Sequence, residues 1–161
     1  MAKYLTIAPM QLADIDEVLV IEHLCFPTPW SWFAFHTELS ENHYALYIVG
    51  RMGERIVAYA GAWLILDEAH ITNVAVHPDW QGHGFGKQIL LALLARAKAK
   101  GASRATLEVR KSNHKAQQLY LRNGFVFRGV RHRYYTDTGE DALIMWKDNL
   151  DDVAAFVEIT G

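Results

Sequence analysis

The strand-like run Asn73-Val74-Ala75-Val76 ends at His77-Pro78, and the turn Gln81-Gly82-His83-Gly84-Phe85-Gly86-Lys87 then opens a helix-like stretch. No other segment constrains the chain so strongly. Proline ends strand pairing because it has no N–H to donate. Glycines without Cβ atoms let backbone amides approach a ligand closely. The first amides of a helix have no internal acceptor and sit at the positive end of its dipole. Phosphate is the usual occupant of such a place. A dinucleotide fingerprint needs G-x-G-x-x-G, whereas the glycines here are Gly82, Gly84 and Gly86. A Walker loop would need glycine at Gln81 and Ser or Thr at Gln88. The competing reading of the cluster alone is a plain turn joining strand to helix.

The flanking pattern supports a helix after the turn. Phe85, Ile89, Leu93 and Ala97 form one apolar stripe at helical spacing. Arg96, Lys98 and Lys100 suit the negative end of the dipole, and Gly101 is a natural C-terminal cap. Upstream, Tyr4 to Pro9 alternates and reads as a strand. Leu12 to Cys25 carries Ile15, Val18, Leu19 and Glu22 at helical spacing. Phe26-Pro27-Thr28-Pro29-Trp30 is a loop, and Ser31 caps a second helix to about Ser40. Tyr44 to Gly50, Arg55 to Leu66 and His70 to Val76 read as a meander with a hairpin turn at Met52-Gly53-Glu54. Ala105 to Val109 is a strand, and Ser112 or Asn113 caps a helix closed by Asn123-Gly124. Phe125 to Tyr135 and Ala142 to Trp146 read as two final strands around Asp137-Thr138-Gly139. The order β-α-α-β-β-β-α-β-α-β-β predicts an α/β fold: a mixed, mostly antiparallel central sheet with helices on both faces.

The chain has 161 residues, which suits one domain. That domain is expected over 1–148, with 149–161 as a C-terminal tail or extra helix. A formal charge of -2 excludes a generic polyanion binder, so no direct nucleic-acid contact is expected. The longest apolar run, Ile56 to Leu66, is too short to span a bilayer, and Met1-Ala2-Lys3 does not open a signal peptide. A cytoplasmic protein without membrane contact, monomeric or weakly dimeric, is the expectation. The single cysteine, Cys25, reads as a buried thiol rather than a nucleophile. The eight histidines show no H-x-x-x-H or H-E-x-x-H spacing, so no metal is expected.

Gln81-Gly82-His83-Gly84-Phe85-Gly86 resembles the Gln/Arg-x-x-Gly-x-Gly/Ala acyl-CoA signature of the GNAT superfamily of N-acetyltransferases, and the element order resembles that superfamily from about Leu5 to Met145. The resemblance implies acetyl-CoA as cofactor, with residues 82 to 87 holding its pyrophosphate through backbone amides and Gln81 beginning the loop. It also implies that the strand through Val74, Ala75 and Val76 bonds the pantetheine arm, chiefly at Val74 and Val76. That strand would splay from the Ala105 to Val109 strand and leave a slot for the thioester. His83 stands where Arg or Lys is frequent in the superfamily.

Glu108 is a carboxylate inside Thr106-Leu107-Glu108-Val109, where central parallel strands are usually apolar. Burying a charge without a partner is costly, so it needs a reason. One reason is an ion pair with Arg104 or Arg110, which share its strand face. The other is service as a general base. Tyr120 lies seven residues, about two helical turns, after Asn113, so both project from one face. Taken alone, Tyr120 fits a core position and Asn113 fits a helix cap.

Leu107-Glu108-Val109-Arg110, Ser112-Asn113, Leu119-Tyr120, Asn123-Gly124-Phe125, Arg133-Tyr134-Tyr135 and Glu140-Asp141-Ala142 together resemble the bacterial ribosomal-protein-alanine N-acetyltransferases (RimI type). So do Phe26-Pro27, Pro29-Trp30-Ser31 and Asn73-Val74-Ala75-Val76. In that family the residue matching Glu108 is the base and the one matching Tyr120 is the acid, and those matching Asn113 and Tyr120 lie near the coenzyme. The partner implied is the N-terminus of a ribosomal or other cytoplasmic protein. The reaction implied is direct transfer, with no acyl-enzyme. Phe26, Trp30, Tyr134 and Tyr135 are candidates for the peptide groove, although their aromatic rings also suit a core. Alternation along a strand sends Tyr134 and Tyr135 to opposite sides, so at most one is expected in the groove. Glu68 and Asp141 read better as solvated turn charges than as peptide contacts. A relative acting on a small amine and a non-catalytic acyl-CoA-binding module are the competing functions.

Overall fold

The computed structural model describes residues 3–154. Strand β1 (Thr6–Pro9) ends at its proline. One 3-10 turn, in which the Asp14 carboxylate accepts from the Gln11 N–H at 2.8 Å, leads into α1 (Ile15–Cys25). The Ser31 hydroxyl accepts from the Ala34 N–H at 3.1 Å and starts α2 (Trp32–Ser40). The meander follows as β2 (Ala45–Met52), β3 (Arg55–Ile65) and β4 (Glu68–Val76). Beyond the glycine turn come α3 (Phe85–Ala99), β5 (Arg104–Arg110), α4 (His114–Arg122), β6 (Val126–Tyr135) and β7 (Glu140–Lys147). The sheet order is β1-β2-β3-β4-β5-β7-β6, and among the described residues only β4 and β5 run parallel. The expected class and element order hold.

Period-2 alternation builds a core on each face of the sheet. Ile48 of β2, with Ala58 and Ala60 of β3, meets Ile89, Leu90, Leu93 and Leu94 of α3. Their neighbours Tyr47, Val49 and Tyr59 turn the other way, onto Ile15, Val18 and Ile21 of α1 and Phe35 of α2. Packing continues past Asp148: Leu150 and Val153 are buried in the α3-side core. Residues 149–154 form a turn, not a helix, and residues 155–161 of the expected tail lie outside the described residues.

The feature that positions the site is the parting of β4 from β5. They stay in register only at Glu68–Arg104, Ala69–Ala105 and His70–Thr106. Just beyond, Thr72 is an extra residue relative to β3, because Gly61 faces Asn73 while Ala62 faces Ile71. Such a bulge bends its strand and shifts the side-chain phase by one. Ala69 and Ile71 accordingly join the α3-side core, and Ala75 joins the α1-side core.

Tyr47 braces the bulge: its hydroxyl lies 2.9 Å from Thr72 Oγ1. Its ring crosses Gly61, where an added Cβ would sit 1.9 Å from Tyr47 Cε1. Gly61→Ala is therefore expected to destabilise the fold by about 1–3 kcal/mol, read as a lower denaturant midpoint. An unchanged midpoint would mean that Tyr47 does not need this close approach.

Candidate active site

Where β4 leaves β5 there is a cavity of about 570 Å³. β4 supplies Asn73 and Val74 to its wall, β5 supplies Glu108, and α4 supplies Asn113 and Tyr120. The loop after α1 and the end of β6 close the opposite side with Phe26, Trp30, Tyr134 and Tyr135. Residues widely spaced in sequence thus meet at one break in the sheet.

On the coenzyme side, the His77 N–H donates to the Val57 C=O at 2.8 Å, which fixes the phase of β4. By alternation, the backbone groups of Val74 and Val76 face away from β3, toward the gap. The Val76 carbonyl is already occupied, accepting from Gln81 Nε2 at 3.1 Å and from the Cys25 thiol at 3.3 Å. Val74 is the better placed of the two. Ala75 pairs with Tyr59 and buries its methyl group against the α1-side core, so it does not reach the gap.

The glycine turn fits a pyrophosphate. Gly82 and Gly84 take φ of 85° and 80°, a left-handed backbone that side chains resist. The first bond of α3 runs from the Gln88 N–H to the Gly84 C=O at 3.2 Å. The amides of Phe85, Gly86 and Lys87 therefore lack helical acceptors. No acidic residue occupies the first turn of α3. The Phe85 side chain is buried and anchors the helix, so only its backbone serves the turn. The exposed Gln81 side chain is spent on the Val76 carbonyl and on Lys115. His83 packs beside Phe85, with ring centroids 5.8 Å apart.

On the acceptor side, the Glu108 side chain is 32% exposed, and its Oε1 lies 3.2 Å from Arg131 Nε. Neither partner suggested by strand spacing is used. Arg104 pairs with Glu68 at 2.6 Å, and Arg110 pairs with Asp137 at 2.9 Å. Arg131 instead reaches from β6 across β7, a contact that only the sheet register reveals.

Tyr120 packs edge-on to Phe125 with centroids 5.7 Å apart. Burial, and secondarily the nearby Tyr135, push its phenol pKa well above the ordinary value. It therefore keeps its proton at neutral pH. Asn113 is the cap of α4, accepting from the Ala116 N–H at 3.1 Å, and lines the same cavity as Tyr120.

Both Tyr134 and Tyr135 line the cavity, with ring centroids 5.1 Å apart, which corrects the expectation that at most one would. The cause is backbone: β6 loses register between Arg131 and Tyr135, and Arg133 takes φ of 53°. Alternation does not survive such a break. Trp30 lines the cavity while packing on Phe35 at 5.2 Å, so it serves core and wall together. Thr28 Oγ1 donates to Asp137 Oδ2 at 2.9 Å and straps the α1–α2 loop to the β6–β7 turn. Glu68 and Asp141 are both engaged, Glu68 by His70 and Arg104, Asp141 by the Arg133 N–H.

One group of this site belongs to no motif in the sequence. Glu22 is only 1% exposed, lines the cavity, and accepts from Tyr59 and from the Trp30 N–H at 2.8 Å. The available signal was an acid at a core-facing position of an apolar helix stripe. Cys25 is half-buried behind Val76, and burial raises its thiol pKa, which does not suit a nucleophile. Among the described residues, no cluster of three His, Cys, Asp or Glu could hold a metal ion.

The profile of the acetyltransferase (GNAT) family matches residues 15–125. The chain belongs to that family. GNAT acetyltransferases use acetyl-CoA, and the residues around the gap and glycine turn fit it. A Bacillus subtilis (strain 168) protein provisionally named a [ribosomal protein bS18]-alanine N-acetyltransferase is 45% identical over 137 residues, 85% of this chain and 91% of that protein. The [ribosomal protein bS18]-alanine N-acetyltransferase of Escherichia coli (strain K12) is 34% identical over 142 residues, 87% of this chain and 95% of that protein. A crystal structure of the ribosomal-protein-S18-alanine N-acetyltransferase from Escherichia coli superposes with a TM-score of 0.81 at 31% identity. The match covers 98% of this chain and 99% of that one.

Proposed function

We propose that this GNAT enzyme acetylates the α-amine of an N-terminal alanine on a ribosomal protein, in the cytoplasm, by direct transfer. The observation that carries the reading is the meeting of Glu108 and Tyr120 on two walls of one cavity at the β4–β5 gap. Acetyl-CoA supplies the activated acetyl group. The turn from Gly82 to Lys87 holds its phosphates by backbone amides, and Val74 offers its N–H to polarise the thioester carbonyl. An α-amine has a pKa of about 7.7–8.0 and is largely protonated at neutral pH, so attack needs a base. Glu108 removes the proton directly or through water, and Tyr120 protonates the departing thiolate. Asn113 stands beside the coenzyme. Phe26, Trp30, Tyr134 and Tyr135 form the peptide walls under the Thr28–Asp137 strap.

The test incubates the purified chain and acetyl-CoA with short peptides starting in alanine, and in parallel with polyamines and free amino acids. Product mass is the readout. Acetylated alanyl peptides are expected. Acetylated small amines with untouched peptides would support the small-molecule reading, and acetyl-CoA binding without any product would support a binding module.

A further inference from the structure

Behind the catalytic pair lies a second polar group for which the scheme above has no use. Asn73 is 5% exposed, on the β4 wall of the cavity, one residue before Val74. Its Nδ2 donates to Glu22 Oε1 at 3.4 Å, and the same oxygen accepts from the Tyr59 hydroxyl. Glu22 Oε2 accepts from the Trp30 N–H at 2.8 Å. The carboxylate is therefore filled by three donors, none of them an ion-pairing cation among the described residues. Because Glu22 only accepts there, the Asn73 amide is fixed in one orientation: Nδ2 toward Glu22, Oδ1 away from it. That Oδ1 is buried and has no hydrogen-bond partner among the described residues. A buried polar atom is usually satisfied, so an orphan acceptor on a residue that lines the cavity marks a place for a donor.

The bulge at Thr72 matters here. It turns the Asn73 side chain to the α1 face, while the Val74 backbone faces the gap between β4 and β5. Asn73 thus stands where the acyl slot meets the side walled by Phe26 and Trp30. We propose that Asn73 Oδ1 receives one N–H of the incoming α-amine and aims its lone pair at the acyl carbon, and that Glu22 is the positioning residue that holds the amide and ties it to the Trp30 loop. This rests on the alanine N-terminus reading above. A neutral amine that attacks through its lone pair still carries two N–H groups. One is lost after the C–N bond has formed, replacing the proton that Tyr120 gives to the thiolate, and the other needs an acceptor. An amine deprived of that acceptor binds less well and with its lone pair less well directed.

Three variants test this with an alanyl peptide: Asn73→Leu, which keeps the volume but not the oxygen, Glu22→Gln, and the double change. Asn73→Leu is expected to lower kcat/KM for the peptide by about ten- to a hundredfold. Acetyl-CoA affinity by calorimetry should stay within about twofold of wild type. Glu22→Gln must aim its amide N–H groups either at the Trp30 N–H or at Asn73 and Tyr59, so it loosens the Trp30 loop or the hold on Asn73 and should lower the same parameter. The double variant should be no worse than the poorer single one, because both act on one hydrogen bond. Asn73→Leu with peptide kcat/KM unchanged would overturn the proposal. So would an equal weakening of acetyl-CoA, which would assign Oδ1 to the coenzyme arm, and so would fully additive losses. If Asn73→Leu loses its cooperative melting transition, Asn73→Ala is judged by the same criteria. A wild-type enzyme that leaves the alanyl peptide untouched would overturn the underlying function instead.

Discussion

Glu108→Gln is expected to lower kcat/KM for an alanyl peptide by about 10²- to 10⁴-fold at neutral pH, the usual worth of a general base. Glutamine keeps the shape of the side chain but does not take up a proton. The ion pair with Arg131 at 3.2 Å is partly exposed, so losing it should cost little stability. A folded but slow enzyme is the expected product. The deficit should shrink as pH rises through about 8, because solvent then supplies the neutral amine that the base otherwise generates. The wild type should depend on pH less steeply over the same interval. Peptide turnover unchanged from wild type at every pH would remove Glu108 as the base.

Tyr120→Phe is expected to lower kcat by about 10²-fold or more while leaving the fold and acetyl-CoA binding intact. The ring is held by packing on Phe125, which phenylalanine preserves. What is lost is the proton for the departing thiolate. Burial raises the Tyr120 pKa, so the phenol stays protonated up to and beyond the ordinary tyrosine value of about 10. The wild-type profile should therefore show no falling limb from this group between about pH 7 and 10. A Tyr120→Phe enzyme with normal kcat would leave Tyr120 as a wall residue only.

Local chemistry wrote much of this fold plainly. The glycine turn, the Ser31 and Asn113 caps and the stripe through Phe85, Ile89, Leu93 and Ala97 depend on neighbours within a few residues, and all appear where the sequence places them. Long-range registers were less legible. The bulge at Thr72 exists only relative to β3, and no residue near it signals an extra position. Period-2 spacing offered Arg104 and Arg110 to Glu108, but the contact comes from Arg131, two strands away. Tyr134 and Tyr135 share the cavity because Arg133 breaks the alternation with a positive φ, which arginine seldom adopts. Glu22 could be read as an acid in an apolar stripe, but its partners Tyr59 and Asn73 come from strands far along the chain.

The most direct measurement uses one peptide with an N-terminal alanine and an internal lysine, acetyl-CoA and the purified enzyme, with the acetyl group located by fragment mass spectrometry. Acetylation on the alanine α-amine, with the lysine ε-amine left free, is the predicted result. Acetyl on the lysine alone, or transfer only to free small amines, would contradict it.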